Sequence, residues 1–304
     1  MIYGSATENK IDEVLSACLN HGGESIVVLS GVAGTGKTLI SLVAAQRLCG
    51  HPLFVRQIQF HPSYTYEDFV EGLRPTSAGA FQTKAGVFLE LNTQAQHDIN
   101  NRYCLLIEEF SRANVPAVLG ELMTYIEYRD RVFYTPLSEI PLRVAPNLTI
   151  LATMNPRDRS ALEIDDALIR RLRIISCPPD TGQLREMLAR SLTGSEQAKE
   201  QIILGLVRLF EECERRHKAT YHDLMPFGHG IFAGVRTADD LRMLWKERIR
   251  FLLKRPLVLP HPFYDTIEEL YVWKDAAQPV VEAPQRNEPT GPLTPATDAD
   301  SPTG

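Results

Sequence analysis

The residues with the clearest chemical meaning form a glycine-rich stretch near the start of the chain. Residues 31–38 read Gly-Val-Ala-Gly-Thr-Gly-Lys-Thr, the spacing of a phosphate-binding loop. Such glycines let consecutive backbone N–H groups point at a polyphosphate, and the following helix N-terminus adds partial positive charge. Lys37 is expected to reach the β- and γ-phosphates, and the Thr38 hydroxyl to bind Mg²⁺. The stretch predicts a nucleoside triphosphate site formed by Gly31, Val32, Ala33, Gly34, Thr35, Gly36, Lys37 and Thr38.

The segments on either side of this loop are the ones that such a site requires. Residues 25–29 are a short apolar, β-branched run, which predicts a buried strand. Residues 38–49 carry apolar side chains near helical spacing, and Gly50 follows as a stop signal. An ordinary glycine-rich turn is the alternative, and the order of strand, loop, Lys-Thr and helix argues against it.

A second apolar strand, predicted over residues 103–107, ends in Glu108 and Glu109. In a triphosphatase one such carboxylate holds the Mg²⁺ shell, and the next orients and polarises the attacking water. Adjacent glutamates at a strand end are more often simply solvated. Their combination with a phosphate-binding loop favours the catalytic interpretation.

Two further groups of polar residues follow later strands. Asn155 comes directly after a strand predicted over residues 148–153, where its amide could sense the γ-phosphate or its water. Arg170 and Arg171 lie in a basic helix end before a strand predicted over residues 174–177. Clustered arginines are usually a solvated face, but in a ring of triphosphatases they would reach the neighbour's γ-phosphate.

The pattern of elements predicts an α/β domain with a parallel sheet over residues 1–180 and a small all-α lid domain over residues 181–275, because strands and helices alternate first and only helices follow. Residues 276–304 are rich in proline and predict a disordered tail. Other predicted segments are helices at 8–20, 85–100 and 116–128, a strand at 52–60, a packed surface loop at 61–69, an exposed loop at 73–85, and a hairpin at 131–144.

Composition excludes several classes of protein. The net charge of −6 provides no global basic field for nucleic acid or an anionic membrane, so any action on DNA is expected to be indirect. We find no uninterrupted apolar stretch of about 18 residues, and we expect no signal peptide at the N-terminus. Five scattered cysteines suggest reduced packing residues in a cytoplasmic protein, not a disulfide framework or a zinc site.

Together these motifs resemble the AAA+ superfamily, and within it the McrB-like branch of the MoxR- and dynein-related group. McrB is the nucleotide-driven motor subunit of a modification-dependent restriction system. The resemblance covers roughly residues 8–255. It rests on Gln-Phe-His-Pro-Ser-Tyr at 59–64, Ser-Arg-Ala-Asn at 111–114, Val-Ala-Pro-Asn-Leu at 144–148, Thr-Met-Asn at 153–155 with Asp-Arg-Ser at 158–160, and Gly-His-Gly-Ile-Phe at 228–232.

This resemblance implies roles for individual residues. Glu108 and Glu109 would be the Walker B pair, and Asn155 the first sensor. Either Arg170 or Arg171 would be the arginine finger that acts on a neighbour, usually in a hexameric ring. The nucleotide-binding set would also include Arg236 as a lid sensor, and Mg²⁺ would be held by Thr38 and Glu108. ATP is the expected nucleotide, with GTP possible, since McrB uses GTP and most of the superfamily uses ATP.

The chain departs from the branch at two positions. The usual Asp-Glu-Ile-Asn-Arg is Glu-Glu-Phe-Ser-Arg at residues 108–112. Glu108 is one methylene longer than the usual aspartate, which would shift the Mg²⁺ shell and slow turnover. Ser111 replaces an asparagine that bears on water positioning and on the partner subunit.

The function implied is a cytoplasmic, ring-forming NTPase that drives a partner effector or nuclease subunit in restriction or anti-phage defence. No DNA-reading domain of the McrB type and no nuclease motif is expected in this chain, so another subunit would recognise and cut. Two alternatives stay open: a MoxR-like chaperone that remodels proteins with ATP, and a nucleotide-locked scaffold with little hydrolysis.

Overall fold

A parallel sheet of five strands forms the centre of the N-terminal region. The computed structural model describes residues 4–21, 23–77, 79–158, 166–221, 225–254 and 263–274, so the predicted disordered tail lies outside them, as do Arg159 and Ser160. The strands within these ranges are β1 (Ile26–Ser30), β2 (Val55–Gln59), β3 (Glu71–Pro75), β4 (Phe81–Ala85), β5 (Tyr103–Glu108), β6 (Phe133–Tyr134), β7 (Pro141–Leu142), β8 (Leu148–Met154) and β9 (Leu172–Ser176).

The central sheet has the strand order β2-β5-β8-β1-β9, and every neighbouring pair is parallel. Tyr103 pairs with Leu148, and Ile26 pairs with Leu172. Because all five strands run in one direction, β1, β5 and β8 end at the same edge. The phosphate-binding loop, the two glutamates and Asn155 lie at those three ends, so the fold gathers the predicted chemistry at one edge.

Helices cover both faces of this sheet, which is why its middle strands are apolar throughout. The helices of this region are α1 (Ser5–His21), α2 (Lys37–Cys49), α3 (Tyr66–Phe69), α4 (Val87–His97), α5 (Val115–Leu119), α6 (Leu122–Tyr125) and α7 (Asp166–Ile169). Alternate strand residues enter different cores. Leu29 and Leu106 pack in the core that contains α1 and α2, whereas Val28 and Ile107 pack in the core that contains α4 and α5.

A separate, all-helical core follows the sheet. Its helices are α8 (Thr181–Ser191), α9 (Glu196–Tyr221), α10 (Ala238–Leu244), α11 (Arg250–Lys254) and α12 (Tyr264–Leu270), and a π-helical turn, Trp245–Ile249, joins α10 to α11. This core is a cluster of its own, with Leu206, Phe232 and Tyr271 fully buried. The predicted parallel α/β sheet and the helical region after it are confirmed.

Three local predictions were wrong. Residues 73–85 are not a loop, because β3 and β4 form an antiparallel hairpin closed by a turn in which Thr76 N–H donates to Ala80 O (2.7 Å). The helix predicted over residues 116–128 is broken into α5 and α6 by Gly120, whose φ is +52°. The segment 61–69, predicted to be a packed surface loop, ends in a helix, α3, with Phe69 buried.

Other features agree with the composition. All five cysteines are buried and free. Burial raises the pKa of the Cys18, Cys49 and Cys213 thiols to about 12, as expected of packing residues. In the part of the chain that the structure describes, no helix is both long and apolar enough to cross a membrane.

Candidate active site

The phosphate-binding loop turns between β1 and α2 with a backbone that glycine makes possible. Gly34 and Gly36 have φ of +84° and +80°, a region that other residues seldom adopt. A side chain on Gly31 would place its Cβ 2.2 Å from the carbonyl oxygen of Cys177. The loop therefore needs these glycines for its turn and for the close approach of the segment after β9.

Lys37 lies across the loop that precedes it. Its ammonium donates to the carbonyls of Gly31 (2.7 Å) and Val32 (2.9 Å). Burial lowers the pKa of Lys37, and nearby groups that include Glu109 and Glu108 partly oppose this. An ammonium has three N–H donors, so the arrangement leaves one N–H for an anion inside the loop.

Glu108 joins the two halves of the predicted site. Its Oε2 accepts from the Thr38 hydroxyl at 2.7 Å, across 70 residues of sequence. Its Oε1 accepts from Gln57 Nε2 at 2.5 Å. A hydroxyl beside a carboxylate is a hard-oxygen pair of the kind that Mg²⁺ shares with waters and substrate phosphates, so these residues fit the implied ion. The described residues contain no cluster of three or more His, Cys, Asp or Glu that would hold a metal without the nucleotide.

Glu109 engages different partners from its neighbour, because the chain turns sharply between them. Its φ of +55° is unusual for a residue with a side chain. Its N–H donates to Thr153 Oγ1 at 3.4 Å, and its Oε2 lies 3.1 Å from Arg112 Nε. The strained backbone thus directs one glutamate to the loop and the other to Arg112.

The side chain of Asn155, which directly follows β8, is linked to the ion pair of Glu109 and Arg112. Its Oδ1 accepts from Arg157 N–H at 3.1 Å, and its Nδ2 donates to Asp158 Oδ1 at 3.4 Å. Asp158 Oδ2 in turn lies 3.5 Å from Arg112 Nε. Asn155 and Glu109 are therefore linked through Arg112 and Asp158.

The two adjacent arginines have different surroundings. Arg170 is exposed at the end of α7. Arg171 is 8% exposed, its Nε lies 3.2 Å from Glu127 Oε2, and its Nη1 donates to Ala167 O at 2.6 Å. Of the two, Arg170 is the one whose side chain is open to a neighbouring molecule.

Arg236 precedes α10 in the all-helical region, which is the predicted lid. Its backbone N–H donates to Asp240 Oδ2 at 2.9 Å, its carbonyl accepts from Thr193 N–H, and its side chain is exposed. The structure thus places the predicted lid sensor at a helix start on the surface.

The lid reaches the loop through a segment whose role sequence reasoning missed. Gly228 N–H donates to Ala33 O (2.8 Å), and Gly230 N–H donates to Gly34 O (2.6 Å). His229, which in the sequence is only one residue of the stretch 228–232, is 4% exposed and lies between these two contacts. The sequence signal for this contact is the pair of glycines, Gly228 and Gly230, on either side of His229. They permit the close approach of the two backbones.

The ring of His229 faces the loop, and a hydrogen bond to its Nδ1 determines the tautomer of the neutral ring. Its Nδ1 accepts from the Asp180 N–H at 3.3 Å, so a neutral ring carries its proton on Nε2. A Cβ on Gly36 would lie 3.8 Å from that Nε2. Burial lowers the pKa of His229, and Asp180 partly opposes this, so the neutral form is favoured near pH 7.

A cavity of about 440 Å³ lies beside the loop, between α1, α2, α8 and the lid segment. Apolar and polar residues both line it, and the charged Glu186 and Arg190 are among the polar ones. The lining includes Thr7, Leu39, Ile40, Gln183, Met187 and His229.

Comparison with known proteins agrees with this geometry. The family model described as AAA domain (dynein-related subfamily) matches residues 26–172, from β1 to the first residue of β9. One relative is the Type IV methyl-directed restriction enzyme EcoKMcrB subunit of Escherichia coli (strain K12), 37% identical over 173 residues. Residues 26–172 are thus similar to AAA domains of the dynein-related subfamily, and about half of the chain is similar to a McrB subunit. The predicted resemblance is confirmed.

A second, more distant relative also has a restriction name. It is the Type II restriction enzyme BsuMI component YdiS of Bacillus subtilis (strain 168), 23% identical over 186 residues. The two matches cover 53% and 47% of this chain, and 38% and 54% of the respective relatives. The chain thus spans about half or less of the length of each of these relatives.

Proposed function

We propose that this McrB-like AAA+ protein is a Mg²⁺-dependent nucleoside triphosphatase that assembles into a ring and drives a partner subunit. The observation that carries the proposal is the bond between Thr38 and Glu108. It joins the phosphate-binding loop to the acidic strand at one edge of the sheet. ATP and GTP are both candidate nucleotides.

Each residue of the site has a proposed task. The loop amides and Lys37 bind the phosphates, with Thr38 and Glu108 as ligands of the ion, which when bound neutralises charge on the β- and γ-phosphate oxygens. Glu109 accepts a hydrogen bond from the attacking water and orients it, which requires it to leave Arg112. Asn155 senses the γ-phosphate from the neighbouring strand end.

A ring would complete the site with a residue from the next subunit. An arginine finger stabilises the charge that develops on the transferred phosphoryl group, and it must project from the surface to do so. Arg170 meets that requirement, whereas Arg171 is paired with Glu127 inside its own chain. We therefore assign the finger to Arg170.

The proposed setting is a restriction or defence complex, supported by the similarity of the chain to components of two restriction enzymes. The net charge of −6 gives this chain no general attraction to DNA. Recognition and cleavage of DNA are accordingly assigned to a partner in trans, and this chain supplies the energy.

Nucleotide binding and assembly of the Lys37→Ala variant test this proposal. We expect fluorescent ATP or GTP analogues to bind the wild-type protein with Mg²⁺ and to increase its mass in light scattering. Lys37→Ala should weaken binding at least about tenfold, because it removes a charged donor to phosphate. Lys246→Ala, a change of an exposed lid lysine, is the matched control. Unchanged binding and assembly in Lys37→Ala would refute the proposal.

A further inference from the structure

Gln57 lies on β2, the edge strand next to β5. The strand that leads into the phosphate-binding loop, β1, lies on the other side of β5, beyond β8. In the parallel register Gln57 pairs with Leu106, two residues before Glu108. Residues two apart on a strand point to the same face, so Gln57 and Glu108 project to the side of the sheet where α2 presents Thr38. The amide of Gln57 reaches the Glu108 carboxylate at 2.5 Å.

We propose that Gln57 is a positioning residue that holds the Glu108 carboxylate for Mg²⁺. Gln57 occupies Oε1, and Oε2 is then directed at the Thr38 hydroxyl. An N–H donor to an ionised oxygen makes a comparatively strong hydrogen bond and fixes the rotation of the carboxylate. The neutral amide does this without a positive charge that would repel a cation. The inference rests on the proposed function, since it concerns the same ion.

The hydrogen bond from Gln57 explains how Glu108 can act as the Mg²⁺ ligand at a position where the McrB-like branch has an aspartate. Glutamate has one more rotatable bond, so ordering its carboxylate costs more conformational entropy. Gln57 restricts that freedom from the adjacent strand. An aspartate at 108 would be one methylene shorter and would withdraw from Gln57, so the residues at 57 and 108 are expected to act as a pair.

The test is the Mg²⁺ dependence of nucleotide affinity, measured with fluorescent non-hydrolysable ATP and GTP analogues in EDTA and across a Mg²⁺ titration. Gln57→Ala should raise the Mg²⁺ concentration at half-maximal effect about three- to tenfold, the range of one net hydrogen bond. Affinity in EDTA should stay unchanged. Gln82→Ala, a change of an exposed glutamine on β4 outside the central sheet, is the matched control and should match the wild type.

A double-mutant cycle separates positioning from a general structural effect. In Glu108→Asp, adding Gln57→Ala should cause no further change, because the shorter carboxylate has already lost the amide. Thermal melting checks that all variants fold. The inference is overturned if Gln57→Ala matches Gln82→Ala at every Mg²⁺ concentration, or if its effect is equally large in the Glu108→Asp background. A wild-type protein that binds nucleotide with Mg²⁺ but never hydrolyses it would refute the proposed function and leave this test valid.

Discussion

Gly228→Ala should separate the lid from the phosphate-binding loop. The φ of Gly228 is −91°, which alanine adopts without strain, so the effect is purely steric. Its Cβ would lie 2.3 Å from Gly34 O and 2.4 Å from Gly34 C, both backbone atoms of the loop. The ordinary contact distance is about 3.5 Å, so the lid segment must move away by about 1 Å.

That movement is enough to break the hydrogen bonds between lid and loop. Gly228 N–H to Ala33 O and Gly230 N–H to Gly34 O are 2.8 Å and 2.6 Å long, and a displacement of about 1 Å takes both beyond bonding range. Each such bond contributes about 0.5–1.5 kcal/mol net. The variant should therefore lose about 1–3 kcal/mol of lid docking and bind nucleotide more weakly.

Urea unfolding and binding of a fluorescent nucleotide measure these two effects. Gly234→Ala is the matched control, because it changes a nearby lid glycine whose Cβ meets nothing within 4 Å and whose φ is not positive. We expect the control to stay within about 0.5 kcal/mol of the wild type. If Gly228→Ala behaves like Gly234→Ala in both assays, the lid does not depend on this contact.

Three further predictions concern the finger, the lid histidine and the core. Arg170→Ala should lower turnover of the assembled protein at least about 100-fold with little change in nucleotide affinity. The control, Arg173→Ala, changes an exposed arginine on β9 and should leave turnover unchanged. Equal effects of the two variants would contradict the assignment of the finger to Arg170. Because burial holds the pKa of His229 below 6.5, the unfolded chain takes up a proton first as the pH falls. The free energy of unfolding should therefore decrease below about pH 6.5, and His229→Gln should reduce that dependence; an unchanged pH profile in the variant would argue against it. Leu106→Ala, at a fully buried position in β5, should lower the free energy of unfolding in urea by about 2–5 kcal/mol. Leu204→Ala, at a 49% exposed position, should lower it by less than about 0.5 kcal/mol. Similar losses in the two variants would place Leu106 outside the core.

The central sheet could be predicted because its evidence is local. β1, β5 and β8 are short apolar runs buried on both faces, and each is followed directly by the polar residues it positions. The loop pattern and the glutamates therefore predict one shared site from the sequence alone. The roles of those residues stay predictions.

What could not be predicted depends on contacts between distant segments. Every residue of β4 is exposed, so the hairpin has no alternating apolar pattern and depends on backbone bonds to β3. The contact between Gly228 and Ala33 joins residues far apart in the chain, and a lone histidine beside it carries no periodic signal. Gln57 is an ordinary polar strand residue until β2 is placed next to β5.

Release of phosphate from ATP and from GTP with Mg²⁺ tests the central claim most directly, with the Glu109→Gln variant measured alongside. We predict turnover of one or both nucleotides by the wild-type protein, and a loss of at least about 100-fold in Glu109→Gln with nucleotide binding retained. Turnover that Glu109→Gln leaves unchanged would contradict the assignment of the site. Tight binding of both nucleotides with no phosphate release from either would contradict the motor and favour the nucleotide-locked scaffold.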